Sequence, residues 1–177
     1  MVFLWVPVFA SAQPASQSPA HPGTSRQQLS LLLHKPLGVF DRSHSAGFGA
    51  EYAYSPGRFG MDVSPAHEIG WIARGGIDLF IGRSHPTEGY AFRYNNYFYA
   101  QAMGGLIWNP LPFANLSLTA GPGLGLYGGA VSPGINAMVS ANVFVDQRIS
   151  IGPSAGFRKH READGLWTAG VKIGYTL

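Results

Sequence analysis

The sequence has no cysteine and little charge. The first absence excludes disulfide frameworks, thiolate metal centres and cysteine nucleophiles. The second is unusual: Asp, Glu, Lys and Arg make up 12% of the chain, where an ordinary globular domain carries about 25%. A third absence is a continuous apolar run of the roughly 20 residues that a membrane-crossing helix needs. What remains is 46% hydrophobic and 13% aromatic, with 24 Gly in 177 residues. Low charge, abundant Gly and aromatics and no apolar 20-mer fit alternating strands with one face in lipid better than a helical bundle or a soluble core.

The alternation is plainest at the C-terminus. Trp167, Ala169, Val171, Ile173, Tyr175 and Leu177 share one strand face; Thr168, Gly170, Lys172, Gly174 and Thr176 share the other. Turn signals divide the preceding chain into similar segments, which predict strands near Gln28–His34, His44–Tyr54, Glu68–Gly82, Tyr90–Trp108, Asn115–Tyr127, Ile135–Val145, Arg148–Arg158 and Leu166–Leu177. The first is the least regular, because Leu31, Leu32 and Leu33 blur its alternation. Pro122 and Pro153 fall inside strands, and with no free edge each is expected to mark a bulge or bend. The predicted fold is all-β: an eight-stranded antiparallel up-and-down transmembrane barrel.

An even strand number puts both termini on one side. With that side periplasmic, the inner connections are Ser55–His67, Asn109–Ala114 and Asp146-Gln147. The extracellular ones are Lys35–Ser43, Arg83–Gly89, Gly128–Gly134 and Arg158–Gly165. Outward aromatics then form two bands, Tyr52, Tyr54, Trp71, Trp108 and Tyr175 low and Phe92, Tyr94, Phe157 and Trp167 high. Such banding is expected where rings with polar tips meet headgroups.

Residues 1–12 read as a secretory signal peptide, an apolar run ending in Ala10-Ser11-Ala12, although a positive leading segment is missing. Residues 13–25 (QPASQSPAHPGTS) read as a flexible linker, which leaves residues 26–177 for the barrel domain. On these segments the chain resembles small bacterial outer-membrane barrels of the OmpA/OmpX type and generic outer-membrane β-barrel domains. The resemblance implies export across the inner membrane to the Gram-negative outer membrane. It also implies that the ending, with Gly170, Ile173, Tyr175 and Leu177, is the signal read by the barrel-assembly machinery. Phe is the usual last residue in that family, and Leu177 departs from it.

Charge at mid-depth on the lipid face costs several kcal/mol, so charged residues in strands should turn inward. Glu51, Arg74, Asp78, Arg148 and Lys172 are the expected interior charge network, with Arg93 and Arg158 also inward by parity. About eight strands leave an interior just filled by side chains, which favours a plug. A narrow pore or ligand-binding barrel is the alternative, because inward glycines such as Gly121, Gly123, Gly125 and Gly156 could leave room for water. A second set, Lys35, Arg42, Arg83, Arg158, Lys159 and Arg161, falls at the extracellular rim and could contact lipopolysaccharide phosphates. That placement accounts for a pI near 9.3 without nucleic acid as a partner.

Three further patterns are weaker, and one of them makes a lipid A-modifying outer-membrane enzyme the second alternative. Gly123 to Gly128 spells G-x-G-x-x-G, but turn residues rather than a helix follow, so no dinucleotide cofactor is implied. Ser154, His160 and Asp164 have the residue types of a hydrolytic triad, and some outer-membrane barrels are lipid A deacylases. Those enzymes share a His-x-Ser-Asn segment, whereas this chain reads His160-Arg161-Glu162-Ala163. His34, His44, His85 and His160 fall at the extracellular ends and are expected to be unassociated, with no metal. The functional expectation is a monomeric, non-enzymatic barrel with a structural or surface-interaction role through its loops. A soluble carrier would need the inverse polarity, apolar inside and polar outside.

Overall fold

The computed structural model describes residues 25–59, 68–87, 90–161 and 164–177. The signal-peptide segment, nearly all of the linker and the middle of the Ser55–His67 connection lie outside these residues. The elements in chain order are β1 (Ser25–Leu37), α1 (Val39–Ser43), β2 (His44–Phe59), β3 (Glu68–Gly82), β4 (Ser84–Thr87), β5 (Tyr90–Arg93), β6 (Tyr97–Leu111), β7 (Ala114–Tyr127), β8 (Ala130–Phe144), β9 (Ile149–His160) and β10 (Leu166–Thr176). Eight of the strands close into one antiparallel barrel in the order β1-β10-β9-β8-β7-β6-β3-β2. Pairing of Leu29 with Tyr175, Leu33 with Val171 and Leu37 with Trp167 makes the closure. The alternating C-terminal segment is therefore the strand that leaves the sheet without an edge.

Period-2 alternation becomes the barrel's inside and outside. On β8, Asn136, Met138, Ser140, Asn142 and Phe144 are buried, while Ile135, Val139 and Val143 are exposed. On β10, Lys172 is 0% exposed and Ile173 beside it 51%. Arg74 and Asp78 are buried on β3 between exposed Trp71, Ile77 and Leu79. Polar residues are inside and apolar residues outside, the polarity that lipid stabilises and water does not. The soluble-carrier alternative is excluded. β1 follows the same rule: Leu29, Leu31 and Leu33 face out, and Leu32 turns inward to Met103 and Met138.

Two expectations about the strands are corrected. The ladder between β3 and β6 ends at Phe80 opposite Tyr97, and residues 90–93 pair instead with 84–87 in a separate hairpin beyond the barrel. Arg93 is consequently exposed rather than inward. The prolines introduce no bulge. Pro122 stays in register opposite Ile135 and Pro153 opposite Val171. The ladders nevertheless skip two positions on the other flank of each, between Gln101/Gly123 and Gly104/Ala120 and between Ser140/Ser154 and Val143/Ile151. A missing N–H removes a ladder bond on one side only, and the neighbouring pairs hold the register.

Strands of 11 to 16 residues exceed the roughly 9–11 needed to cross hydrocarbon, so the wall continues past it. At the predicted extracellular end, α1 caps the barrel with Phe40, which is 3% exposed. The β7–β8 connection shrinks to Gly128-Gly129, both at positive φ. A two-residue turn of this kind needs that conformation, which glycine adopts without steric cost.

Candidate functional site

The barrel interior is built in layers. At the end that carries the chain termini Ala53, Ile72, Ile107 and Phe144 form an apolar layer; at the other end Phe40, Phe80, Tyr97 and Tyr99 form a second, with Leu166 packed against it. Between them lies a polar belt. Lys172 on β10 donates to Glu51 on β2, and the Arg74 Nε stands 3.7 Å from the same carboxylate oxygen. One step higher, Asp78 on β3 accepts from Arg158 on β9, from Gln101 Nε2 at 3.2 Å and from His34 Nε2 at 3.1 Å. Arg74 also donates to Ser117 and Ser140, and the Arg158 guanidinium lies 5.0 Å from the ring centroids of both Phe80 and Tyr99. Each carboxylate is thus shared by donors from several strands. At low dielectric further hydrogen bonds strengthen such pairs, and here Glu51 Oε2, Arg74 Nε and the Nε and Nη1 of Arg158 make none.

Three inward glycines, Gly47, Gly49 and Gly123, make room for this packing. A Cβ added at Gly49 would sit 2.0 Å from the Asp78 carboxylate, one at Gly123 2.1 Å from the Tyr99 hydroxyl, and one at Gly47 2.4 Å from the Phe80 ring. Large side chains from neighbouring strands occupy the space.

Four of the five expected interior charges, Glu51, Arg74, Asp78 and Lys172, are buried together. Arg148 is not. It lies in the exposed turn between β8 and β9, where it donates to the Tyr175 hydroxyl at 3.2 Å. The predicted strand began one residue too early, and Arg148 precedes the ladder. Arg158, expected at the rim as well as inward, is 1% exposed. Its partner is Asp78, so it cannot reach a headgroup.

The remaining rim residues are at the surface. Lys35 and Arg83 share one carboxylate oxygen of Asp41, at 2.6 and 2.7 Å. The Lys35 hydrogen bond, helped by the charge of Arg83, holds the Asp41 carboxyl below the usual carboxylate range. Arg42, Lys159 and Arg161 are exposed. Arg42, Arg93 and Arg161 have no acidic partner among the described residues.

The histidines differ most from expectation. His34, His44 and His160 are all buried. His34 belongs to the Asp78 cluster, and His160 Nε2 lies 2.6 Å from the Tyr97 hydroxyl. His85 alone is exposed, with Nε2 2.9 Å from the Arg42 carbonyl. Strand parity carried the signal: His34 shares a face with Ser30 and Leu32, His160 with Ser154 and Arg158, and Tyr97 and Tyr99 with Gln101. No group of metal-ligating side chains occurs among the described residues.

The triad types do not converge either. Ser154 and His160 lie on one strand, six residues apart, which at about 3.3 Å per residue separates them by roughly 20 Å. Asp164 is exposed beyond the strand. The G-x-G-x-x-G letters fall on β7 and its tight turn.

On the last strand, Ile173, Tyr175 and Leu177 point outward, and the Leu177 N–H donates to the Gln27 carbonyl at 3.1 Å. A Cβ at Gly170 would meet the Leu33 carbonyl at 2.1 Å. The last strand therefore lies tightly against β1.

No protein-family model matches the sequence, and no curated protein does. Solved structures do. Ail, the attachment invasion locus protein of Yersinia pestis, solved in complex with the heparin analogue sucrose octasulfate, is 13% identical with a TM-score of 0.52; the match covers 86% of this chain and 98% of Ail. The outer-membrane enzyme PagL is 9% identical with a TM-score of 0.58, over 85% of this chain and 99% of PagL. Neisserial surface protein A is 10% identical with a TM-score of 0.50, over 88% of this chain and 97% of that protein. The fold is that of the small eight-stranded outer-membrane barrels. At these identities the likeness extends to the fold alone, and it includes one protein described as an enzyme.

Proposed function

We propose that this protein is a closed, non-enzymatic barrel of the bacterial outer membrane that works through its extracellular surface, and that its basic rim contacts anionic glycolipid. One observation carries this reading: the interior cations Arg74, Arg158 and Lys172 converge on the buried carboxylates Glu51 and Asp78, whereas the end read as extracellular holds cations with no acidic partner among the described residues. Arg42, Arg93 and Arg161 are exposed there without an acidic partner among the described residues, and Lys35 and Arg83 divide a single carboxylate. Guanidinium groups suit phosphate and sulfate, which accept paired hydrogen bonds. Ail, with the same fold, holds a polysulfated sugar in one of its structures. The outward apolar belt supports placement in lipid, and lipopolysaccharide phosphates are the anions such a rim would meet. Export by the N-terminal segment and recognition of the ending by the assembly machinery belong to the same reading. So does a monomeric state.

Two alternatives have less behind them. A pore needs a continuous path, and the apolar layers at both ends oppose one. A lipid-modifying enzyme needs a nucleophile beside its base, and Ser154 is far from His160. The test is lipopolysaccharide co-purification of wild type and an Arg42→Ala/Arg93→Ala/Arg161→Ala variant at low and high salt. The contact is electrostatic, so salt and the triple change should each reduce retention. Equal retention in all four conditions would leave the rim as ordinary solvated loop.

A further inference from the structure

The outer wall carries an apolar groove of about 740 Å³ that begins beside the turn between β8 and β9. Along one row of the ladders, Ile149 pairs with Tyr175, Tyr175 with Leu29, Leu29 with Tyr52 and Tyr52 with Gly75. Ile149 is the first residue of β9 and Gly75 the middle of β3, so the row climbs from the end that carries the chain termini to mid-wall. Four steps at about 4.8 Å per strand span roughly 19 Å, enough for most of a fatty-acyl chain. We propose that this groove holds an acyl chain of one bound phospholipid, whose phosphodiester sits on Arg148. The inference is separate from the rim reading, since it uses the opposite end of the barrel and none of the rim cations.

Small residues form the floor. Ala50 lies opposite both Leu31 and Ile77, and Gly75 lies opposite Tyr52, so two small positions sit among large outward side chains. Neighbouring side chains fill the space at Gly47, Gly49 and Gly123; at Gly75 they do not. A Cβ there would meet only the Gln101 carbonyl, at an ordinary 3.9 Å. Nothing within the described chain requires glycine at this outward position, and the depth it leaves is open to the surroundings. On a wall whose outward side chains are aliphatic and aromatic, the surroundings are lipid.

The mouth of the groove supplies the charge. Arg148 directly precedes Ile149, and its Nη1 donates to the Tyr175 hydroxyl at 3.2 Å. That bond holds the guanidinium at the head of the groove and leaves the Nε–Nη2 edge to a ligand. Two N–H groups on one edge match the two unesterified oxygens of a phosphodiester. Arg148 is exposed and has no ion-pair partner among the described residues. Asp146 acts on it by charge from beyond ion-pair distance, and the Asp146 Oδ1 accepts the Gln147 N–H at 2.6 Å. Tyr175 and Tyr52 come next along the row, and rings with polar tips favour the headgroup level. A phosphate on Arg148 therefore puts the glycerol beside these rings and the acyl chain over Leu29, Leu31 and Ala50.

The test adds lipid to the full chain refolded in maltoside micelles and counts bound molecules by native mass spectrometry. The probes are dioleoylphosphatidylethanolamine, diolein, which lacks the phosphate, and glycerophosphoethanolamine, which lacks the acyl chains. The phospholipid should saturate at one per barrel. Diolein should bind at least about tenfold more weakly, a difference of about 1.4 kcal/mol, and glycerophosphoethanolamine should not compete. Arg148→Gln should bring the phospholipid down to the level of diolein. Gly75→Leu fills the floor and should weaken both lipids, which keeps the test decisive if Arg148→Gln does not refold. Ala155→Leu, on the outward face of β9 away from the groove, should change neither. Equal affinity for phospholipid and diolein, competition by glycerophosphoethanolamine, phospholipid binding unchanged in Arg148→Gln or Gly75→Leu, or equal weakening by Ala155→Leu would each overturn the proposal.

Discussion

The interior and the rim of this barrel use the same residue types to opposite ends. Inside, Lys172 with Glu51 and Arg158 with Asp78 are almost wholly out of water, and every partner is fixed by neighbouring strands. Outside, Lys35, Asp41 and Arg83 form a comparable triple with 37–56% of each side chain in solvent. Solvent screens the outer set, and exposed pairs contribute little. The inner set has lost its hydration, so breaking one pair strands a buried charge. Burial, not the identity of the charges, decides which of them hold the barrel and which are available to a partner.

The largest expected effect is therefore at Asp78. Asp78→Ala leaves the Arg158 guanidinium and His34 without their acceptor and should destabilise by about 3–5 kcal/mol, the usual cost of breaking a buried pair. Urea unfolding in micelles would show it as a lower midpoint. No change in midpoint would place water, rather than the carboxylate, as the main partner of Arg158.

Glu51 and Lys172 sharpen the comparison. Glu51→Met or Lys172→Met alone should each be strongly destabilising. The double change should cost clearly less than their sum, because neither Glu51 nor Lys172 is then left without the other, while the loss of Arg74's contact with Glu51 remains in both Glu51 variants. Additive losses would mean that the pair is not coupled.

A smaller effect is expected at the last strand. Tyr175→Lys puts charge on the outer face near an interface, where the cost is up to about 1 kcal/mol, and it alters the ending. Thr176→Lys turns inward, to a position 1% exposed with an unpartnered hydroxyl. Tyr175→Lys should reduce the fraction assembled in the outer membrane, and Thr176→Lys should instead lower stability once assembled. Fractionation and unfolding of both variants separate the two. Identical profiles would contradict the assigned facing.

The smallest effect belongs to the rim triple. Because the folded protein depresses the Asp41 carboxyl below its ordinary value of 3.8, its contribution is present above that value. It is lost as pH falls through the lower folded value. Asp41→Asn should lower neutral-pH stability slightly, by the small amount that an exposed pair contributes, and should match the wild type at the acid end of the profile, where that contribution is already lost. A large loss at pH 7 would mean that α1 is held by this contact rather than by Phe40.

Strand number, facing and most of the interior charges were legible because a period of two is set by backbone geometry and needs no knowledge of partners. The same rule places His34, Tyr97 and Tyr99 inside within the predicted strands, and His160 inside once its strand is followed two residues further. Arg158 is read as inward by parity and is also counted at the rim. Its strand continues to His160, so a residue counted at a loop is two positions inside. The β4–β5 hairpin was not legible, since residues 90–93 alternate as well as the barrel strand that follows them. Which ladder a strand joins is decided by tertiary pairing.

The central claim is that this interior is closed by buried pairs between two apolar layers. Single-channel recording of the purified protein in planar bilayers tests it most directly. The account predicts no steady conductance, for wild type and for Arg74→Gln alike. Reproducible current steps in the wild type, with a size that changes in Arg74→Gln or Asp78→Asn, would contradict it.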